Sequence, residues 1–338
     1  MKERSTKYPI IVDAMGGDYA PMEIVRGTLE ASAMYSAEVK LVGDKDIIRN
    51  AAGPGGSGVT GLEILPSTQE VGMDESPSDV LKNKKESSIY IGSRLVGQGN
   101  GSAFLSAGNT GAVMACSLFN IKRIKGVFRP AIAAVIPLAD SRFVLIDAGA
   151  NADCKPIYLA QFALMGKVYS ENILGVKDPK VGIVNIGGEE KKGNELTVEA
   201  HKILKGLKGL DFVGNIEGRE MFEGSADVVV ADGFTGNVIL KVLEGLAKMF
   251  FGEVKSALTS SLISKVAALI LKKPLKGMKD KFDYETYGGA QLLGLNAPVI
   301  ISHGSSKAMA VRNAIRVAQE SLQTDLVEKI KKEIELYK

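Results

Sequence analysis

Short apolar runs that close on Gly, Asp, Asn or Ser recur along the whole chain: YPIIVDAMGG, VKLVGD, LEILPS, SAFLSAGNTG, PAIAAVIP, RFVLIDAGAN, KVGIVNIGG, DFVGNIEG, ADVVVADGFTGN and PVIISHGSS. Their length and bounding residues predict ten strands. Between most of them lie stretches with apolar residues at helical spacing, among them MEIVRGTLEASAMYS, ALMGKVYSENIL and NELTVEAHKILKGL. Alternating strand and helix predicts an α/β fold with a largely parallel sheet and helices on both faces. Polar residues gather at the carboxyl ends of the strands, where open α/β sheets bind ligands, so a site is expected there.

One segment breaks the alternation. From about Gly245 to Lys281 the pattern is a long helix that changes from apolar to Lys-rich. Val254, Leu258, Leu262, Val266, Leu269 and Ile270 fall at helical spacing, and Lys265, Lys272, Lys273, Lys276 and Lys279 carry charge suited to anionic lipid. Peripheral membrane contact is one reading, and a helix packed in a dimer is the other. No Pro- or Ser-rich linker divides the chain and no repeat of fixed period occurs, so the 338 residues are expected to form one subunit with two lobes.

Composition narrows the function classes. Hydrophobic residues at 45% and charged residues at 24% suffice for a packed core. The 38 glycines sit mainly after the apolar runs, where a strand turns or a ligand approaches the backbone. A net charge of +3, with no basic stripe interleaved with aromatic residues, argues against nucleic acid. Cys116 and Cys154 form neither a disulfide framework nor a metal knuckle, and a reducing compartment is expected. The N-terminal MKERSTKYPIIVDAMGG lacks an apolar signal core, and no apolar stretch reaches the roughly 18 residues of a membrane span. The expectation is a cytoplasmic protein.

Familiar motifs fail on context. Gly53, Gly55 and Gly58 of GPGGSG match dinucleotide spacing but follow a helical pattern, contain Pro54 and precede a strand, which makes them a surface loop. GEEKKGNE has P-loop glycines with Asn194 and Glu195 where Lys and Ser or Thr belong. No G-x-S-x-G elbow is present. His201 reads as a helix residue, and two histidines so far apart make a metal site improbable. His303, opening HGSS with Ser305, reads either as a strand end or as part of an anion site.

Four strand-to-helix loops remain, and together they suggest one cleft at one sheet edge. DAMGGD offers Asp13, Gly16, Gly17 and Asp18; SAGNTG offers Ser106, Asn109 and Thr110; DAGANADCKP offers Asn151; ADGFTGN offers Asp232 and Thr235. Singly, each is ordinary turn and cap chemistry. Beyond the strand KVGIVNI, Lys191 and Lys192 stand between glycines on the expected ligand edge, where a lysine serves as a point charge for phosphate.

VDAMGGDYAP, SAGNTGAVMA, DAGANADCKP, GGEEKKGNELT, DVVVADGFTGNVILK and YGGAQLLGLNAPVIISHGSS together resemble the PlsX family, acyl-carrier-protein:phosphate acyltransferases of bacterial phospholipid synthesis. The resemblance runs from about Ile11 to the final helix. It implies a Rossmann-like three-layer α/β/α fold akin to isocitrate and isopropylmalate dehydrogenases and phosphotransacetylases, without a nucleotide cofactor. It also implies a homodimer with active sites near the subunit interface. By motif, the family's essential lysine and asparagine fall on Lys192 and Asn237. The chain departs from the family at Tyr19, where His is common, and at Cys154.

The implied chemistry explains the missing nucleophile. Phosphate attacks a thioester directly, so the protein supplies position, a cation and donors for the oxyanion. The acidic carrier protein is expected to dock on basic residues near the cleft, with Lys82, Lys84, Lys85, Lys122, Arg123 and Lys125 as candidates. Competing readings are a short-chain phosphotransacetylase using coenzyme A and a non-catalytic fatty-acid-binding module. A dehydrogenase rests on fold analogy alone.

Overall fold

All ten expected strands form. In the computed structural model, which describes residues 8–53, 62–282 and 284–337, they join an eleventh in a single sheet. The strands are β1 (Ile10–Asp13), β2 (Val39–Gly43), β3 (Glu63–Pro66), β4 (Ala103–Ser106), β5 (Ala131–Pro137), β6 (Arg142–Ile146), β7 (Lys180–Val184), β8 (Asp211–Ile216), β9 (Val228–Val230), β10 (Ala290–Leu293) and β11 (Val299–Ile301). Their order across the sheet is β3-β2-β1-β4-β11-β10-β5-β6-β9-β7-β8. The helices are α1 (Met22–Tyr35), α2 (Lys45–Ala51), α3 (Pro77–Asn83), α4 (Ser88–Gly97), α5 (Thr110–Asn120), α6 (Pro156–Tyr169), α7 (Glu195–Gly206), α8 (Gly233–Thr259), α9 (Leu262–Phe282), α10 (Ala308–Gln323) and α11 (Leu326–Leu336). Gly55 and Gly58 lie outside the described residues.

Alternate residues of one strand feed different cores, which is how the sheet comes to be covered on both faces. Ile11 and Phe104 join Phe143, Leu145 and Val229 in a core that spans both halves of one face under α3, α4 and α5. Ile10 and Val12 turn the other way, against Ile24 of α1 and Val311 and Ile315 of α10. Val144 and Ile146 pack on Leu159, Phe162 and Ala163 of α6 with Ala200 and Leu204 of α7. Buried on nearly every side, α6 shows no polar face, as a central helix requires.

Two expectations change. The sheet is largely parallel, but β10 is antiparallel to both β11 and β5, and β5 is antiparallel to β6. These three reversals turn the second half of the sheet over, so β6, β7, β8 and β9 run opposite to β1, β2, β3, β4 and β11. The four loops therefore leave opposite edges of the sheet. DAMGGD, SAGNTG and HGSS share one edge, and the loops after β6, β7 and β9 share the other. The segment from Gly245 to Lys281 is likewise two helices, since α8 ends at Thr259 and α9 packs back on it.

Candidate functional site

The loop after β6 is organised around its own first residue. Asp147 is fully buried, and its Oδ1 accepts from the N–H groups of Ile132 (3.0 Å), Gly149 (3.1 Å) and Ala150 (2.9 Å). Its Oδ2 accepts from Asn151 N and Nδ2, both at 2.8 Å. Burial pushes the carboxyl pKa up against the pull of these donors. Asn151 Nδ2 also donates to Pro130 O at 2.8 Å, which fastens the loop to the start of β5.

Two glycines press the start of α8 onto that loop. A Cβ on Gly233 would lie 2.6 Å from Asn151 O, and one on Gly236 only 1.9 Å from Asp147 O. Asp232 caps the helix, accepting from Thr235 N (2.9 Å) and Thr235 Oγ1 (2.7 Å). Asn237 is therefore the fifth residue of α8 and does not cap the helix. Its exposed amide lies over Gly149, whose backbone is in the left-handed region at φ +137°, and makes no hydrogen bond among the described residues.

Lys192 stands on the third loop of this edge. The buried Asn185, at the end of β7, donates from Nδ2 to Lys192 O (2.8 Å) and so folds the Gly-Glu-Glu-Lys-Lys segment back on the strand. Gly193 (φ +104°) permits the fold: any Cβ there would lie 2.1 Å from Thr197 Oγ1. Asn194 then caps α7 through Thr197 N (2.9 Å). The Lys192 side chain is exposed and ion-pairs with no carboxylate among the described residues, whereas Glu190 is taken by Lys205. Asn185, Asn194, Thr197, Asp232 and Thr235 line a cavity of about 380 Å³ between the β7 and β9 loops. Asn185 and Thr197 were not singled out in the sequence; a lone polar residue closing the apolar run GIVN was the available signal.

Cys154 follows on the β6 loop. Burial pushes its thiol up to about 11, so it stays protonated at neutral pH.

The other edge repeats the first device. Asp13, also fully buried, accepts from Met15 N (3.0 Å), Gly16 N (3.1 Å) and Ser106 Oγ (2.7 Å). Burial raises its pKa as well. Asn109 caps α5 through Ala112 N and spends its Nδ2 on the carbonyls of Gly72, Met73 and Glu75. Gly17 meets Gly304, and Asp18 N donates to Gly304 O at 2.8 Å. Ser305 N donates to His303 Nδ1 (3.1 Å), while Asp18, Thr110 and His303 are exposed. Lys307 Nζ lies 5.7 Å from the centre of the Tyr19 ring. The expected residues thus fall into two sets: Asp13, Gly16, Gly17, Asp18, Ser106, Asn109, Thr110, His303 and Ser305 in one, and Asn151, Lys192, Asp232, Thr235 and Asn237 in the other.

The family model described as "Fatty acid synthesis protein" matches residues 9–329. A phosphate acyltransferase of Pelotomaculum thermopropionicum is 49% identical over 326 residues, covering 96% of this chain and 95% of the relative. Among solved structures, a phosphotransacetylase from Streptococcus pyogenes superposes with a TM-score of 0.63 at 20% identity, covering 94% of this chain and 95% of the other. A 4-hydroxythreonine-4-phosphate dehydrogenase from Klebsiella pneumoniae gives a TM-score of 0.50 at 14% identity over 92% and 98% of the two chains. These likenesses show that the chain shares its fold with a phosphotransacetylase and a 4-hydroxythreonine-4-phosphate dehydrogenase. By family model and by identity along nearly its whole length, the chain belongs to the PlsX family of fatty acid synthesis proteins, the phosphate acyltransferases.

Proposed function

We propose that the chain transfers a fatty acyl group from acyl carrier protein to inorganic phosphate, giving an acyl phosphate for phospholipid synthesis. One observation carries the assignment of chemistry to residues. On the edge formed by the loops after β6, β7 and β9, most side-chain donors and acceptors are spent on the fold, while Lys192 and Asn237 are exposed and uncommitted among the described residues. A phosphate oxygen attacks the thioester carbonyl, a C–O bond forms, and the C–S bond then breaks with the thiolate taking a proton. Lys192 supplies the cation that holds phosphate, and Asn237 donates to the reacting carbonyl as it gains charge. Thr235, Asn194 and Thr197 line the adjoining cavity and complete the polar wall.

The test uses the full chain with a long-chain acyl carrier protein, with and without phosphate, trapping acyl phosphate as the hydroxamate. Phosphate-dependent product from the carrier protein, with acetyl-coenzyme A turned over far more slowly, is the expected result. Preference for acetyl-coenzyme A makes the chain a short-chain phosphotransacetylase. Absence of phosphate-dependent thioester loss makes it a binding module.

Assembly and location belong to the same reading. Phe234, Val238, Val242, Leu246, Met249 and Phe250 form an exposed apolar stripe that starts beside Asn237, and Phe234 is 67% exposed. A second copy of the chain is the proposed cover for this stripe, giving a homodimer with its sites near the interface. On α9, Leu269 and Ile270 are 72% and 77% exposed beside the exposed Lys272 and Lys273, an arrangement suited to peripheral contact with anionic membrane. The side chains of Leu262, Val266 and Lys279 lie outside the described residues. Among the described residues no helix is long and apolar enough to cross a membrane.

A further inference from the structure

The basic residues first considered for carrier docking do not form one patch. Lys84 is ion-paired to Glu75 at 2.6 Å and, with Lys82 and Lys85, belongs to the region where α3 packs on α5. Lys122, Arg123 and Lys125 follow the far end of α5, about 16 Å along its axis. There they line a cavity of about 700 Å³ together with Arg129, Phe128 and Tyr158. That volume lies within the range of small-molecule sites.

The wall of this cavity is braced from behind. Asn296 Nδ2 reaches the carbonyls of Ile121 (3.2 Å), Lys122 (3.2 Å) and Arg123 (3.0 Å). The buried Gln161 accepts from Phe128 N and donates to Gly126 O, both at 2.8 Å. Arg123 is bonded to Phe128 O and serves the loop. Lys122, Lys125 and Arg129 are exposed and pair with no carboxylate among the described residues. Three unpaired cations on a rigid loop, beside an aromatic pair 5.9 Å apart, constitute a site for an anion carried on a small organic group. The cavity adjoins the candidate site, because its wall residue Pro130 accepts the Asn151 side chain.

Building on the acyl-carrier reading, we infer that this cavity receives the phosphodiester of the prosthetic arm on which the carrier presents its thioester. A concave site of this volume fits a phosphorylated arm, which crosses it and delivers the sulfur past Pro130 toward the Asn151 loop.

The full-length chain and its Lys125→Glu and Arg129→Glu variants are compared on donors bearing the same acyl group. These are acyl carrier protein, acyl-phosphopantetheine, and an acyl-N-acetylcysteamine that has the thioester without phosphate. Each variant is expected to raise KM about tenfold for the two phosphorylated donors, with kcat unchanged and with the phosphate-free donor unaffected. Equal loss on all donors, loss confined to the carrier protein, or no loss overturns the inference. Calorimetric titration with phosphopantetheine and with pantetheine, without turnover, separates this inference from the reading it rests on. Preference for the phosphorylated compound that Arg129→Glu abolishes sustains the site even for a chain that makes no acyl phosphate. No preference overturns it even for a chain that does. If either charge reversal unfolds the chain, Lys125→Gln and Arg129→Gln are titrated in its place, with the same outcomes deciding.

Discussion

Replacing Asn237 by Ala should separate stability from turnover. Asn237 lies inside the 27-residue α8 rather than at its cap, is exposed, and makes no hydrogen bond that the substitution would break among the described residues. Alanine is the better helix former at such a position by about 0.5 kcal/mol, so Asn237→Ala should melt no lower than the wild type. Asp232 provides the contrast. It caps α8 through Thr235, and Asp232→Ala should lose roughly 1 kcal/mol of stability.

If Asn237 donates to the developing oxyanion, turnover of Asn237→Ala should fall roughly a hundred- to a thousandfold, corresponding to about 2.7–4 kcal/mol of transition-state stabilisation. Thermal unfolding and phosphate-dependent release of carrier thiol, measured on the same preparations, give both quantities. A variant that keeps near-normal turnover, or one whose melting falls in step with its activity, refutes the argument. Lys192→Ala should also fold normally, because its side chain holds nothing among the described residues, but it should raise the phosphate concentration needed as well as slow the reaction.

Gly236→Ala puts a methyl group against Asp147 O and should cost roughly 1–3 kcal/mol, with activity lost disproportionately because α8 must move away from the β6 loop; unchanged kinetics would show that this contact does not position Asn237. The Cys154 thiol, held at about 11 by burial, begins to ionise only as pH rises toward that value, so alkylation should be slow at neutral pH, and Cys154→Ser should leave the pH profile between about 6.5 and 9 unaltered. A limb of the profile that disappears in the variant would contradict this. Leu269→Glu with Ile270→Glu should abolish flotation with anionic vesicles while melting is preserved, and undiminished flotation would count against α9 as the membrane contact.

The sequence was most readable where one physical rule acted alone. Apolar runs bounded by glycine and polar residues located ten strands because most of these strands are buried along much of their length, although β3 and β8 keep exposed residues. The strand that escaped, β10, is four residues between Gly288–Gly289 and Gly294, and its second residue is a glutamine. Gln291 is buried because Ser321 of α10 donates to its Oε1 at 3.0 Å, a partner 30 residues away that no local pattern reveals. The two antiparallel pairings of β10 cancel, so β5 runs the same way as β11, and the β5–β6 pairing is the one that turns the second half of the sheet over. Side-chain periodicity carries no information about strand direction; the signal for the division of the loops between two edges was the short connection from Pro137 to Arg142, which is too short for a parallel crossover. The positions of Lys192 and Asn237 were legible as motif positions, whereas Asp232 and not Asn237 being the cap depends on which residue first adopts helical geometry.

The two buried aspartates explain why loops that resemble anion cradles need a separate cation. Successive N–H groups converging on one point form the kind of nest that binds phosphate. In the β6 loop those groups are already turned inward on the Asp147 carboxylate, and in the β1 loop the N–H groups of Met15 and Gly16 are turned on Asp13. An arriving phosphate finds these donors occupied by a carboxyl group of the protein itself. Glycine-rich loops here buy close packing between strand ends and helix starts, as the contacts of Gly233 and Gly236 with the β6 loop illustrate. Charge compensation for phosphate must then come from outside the nest. In the proposed mechanism Lys192 gives it, beyond β7 on a loop that Asn185 holds by its backbone while the ammonium pairs with no carboxylate among the described residues. The backbone of this loop is thus fixed while the Lys192 side chain stays exposed, which is the arrangement its proposed role requires.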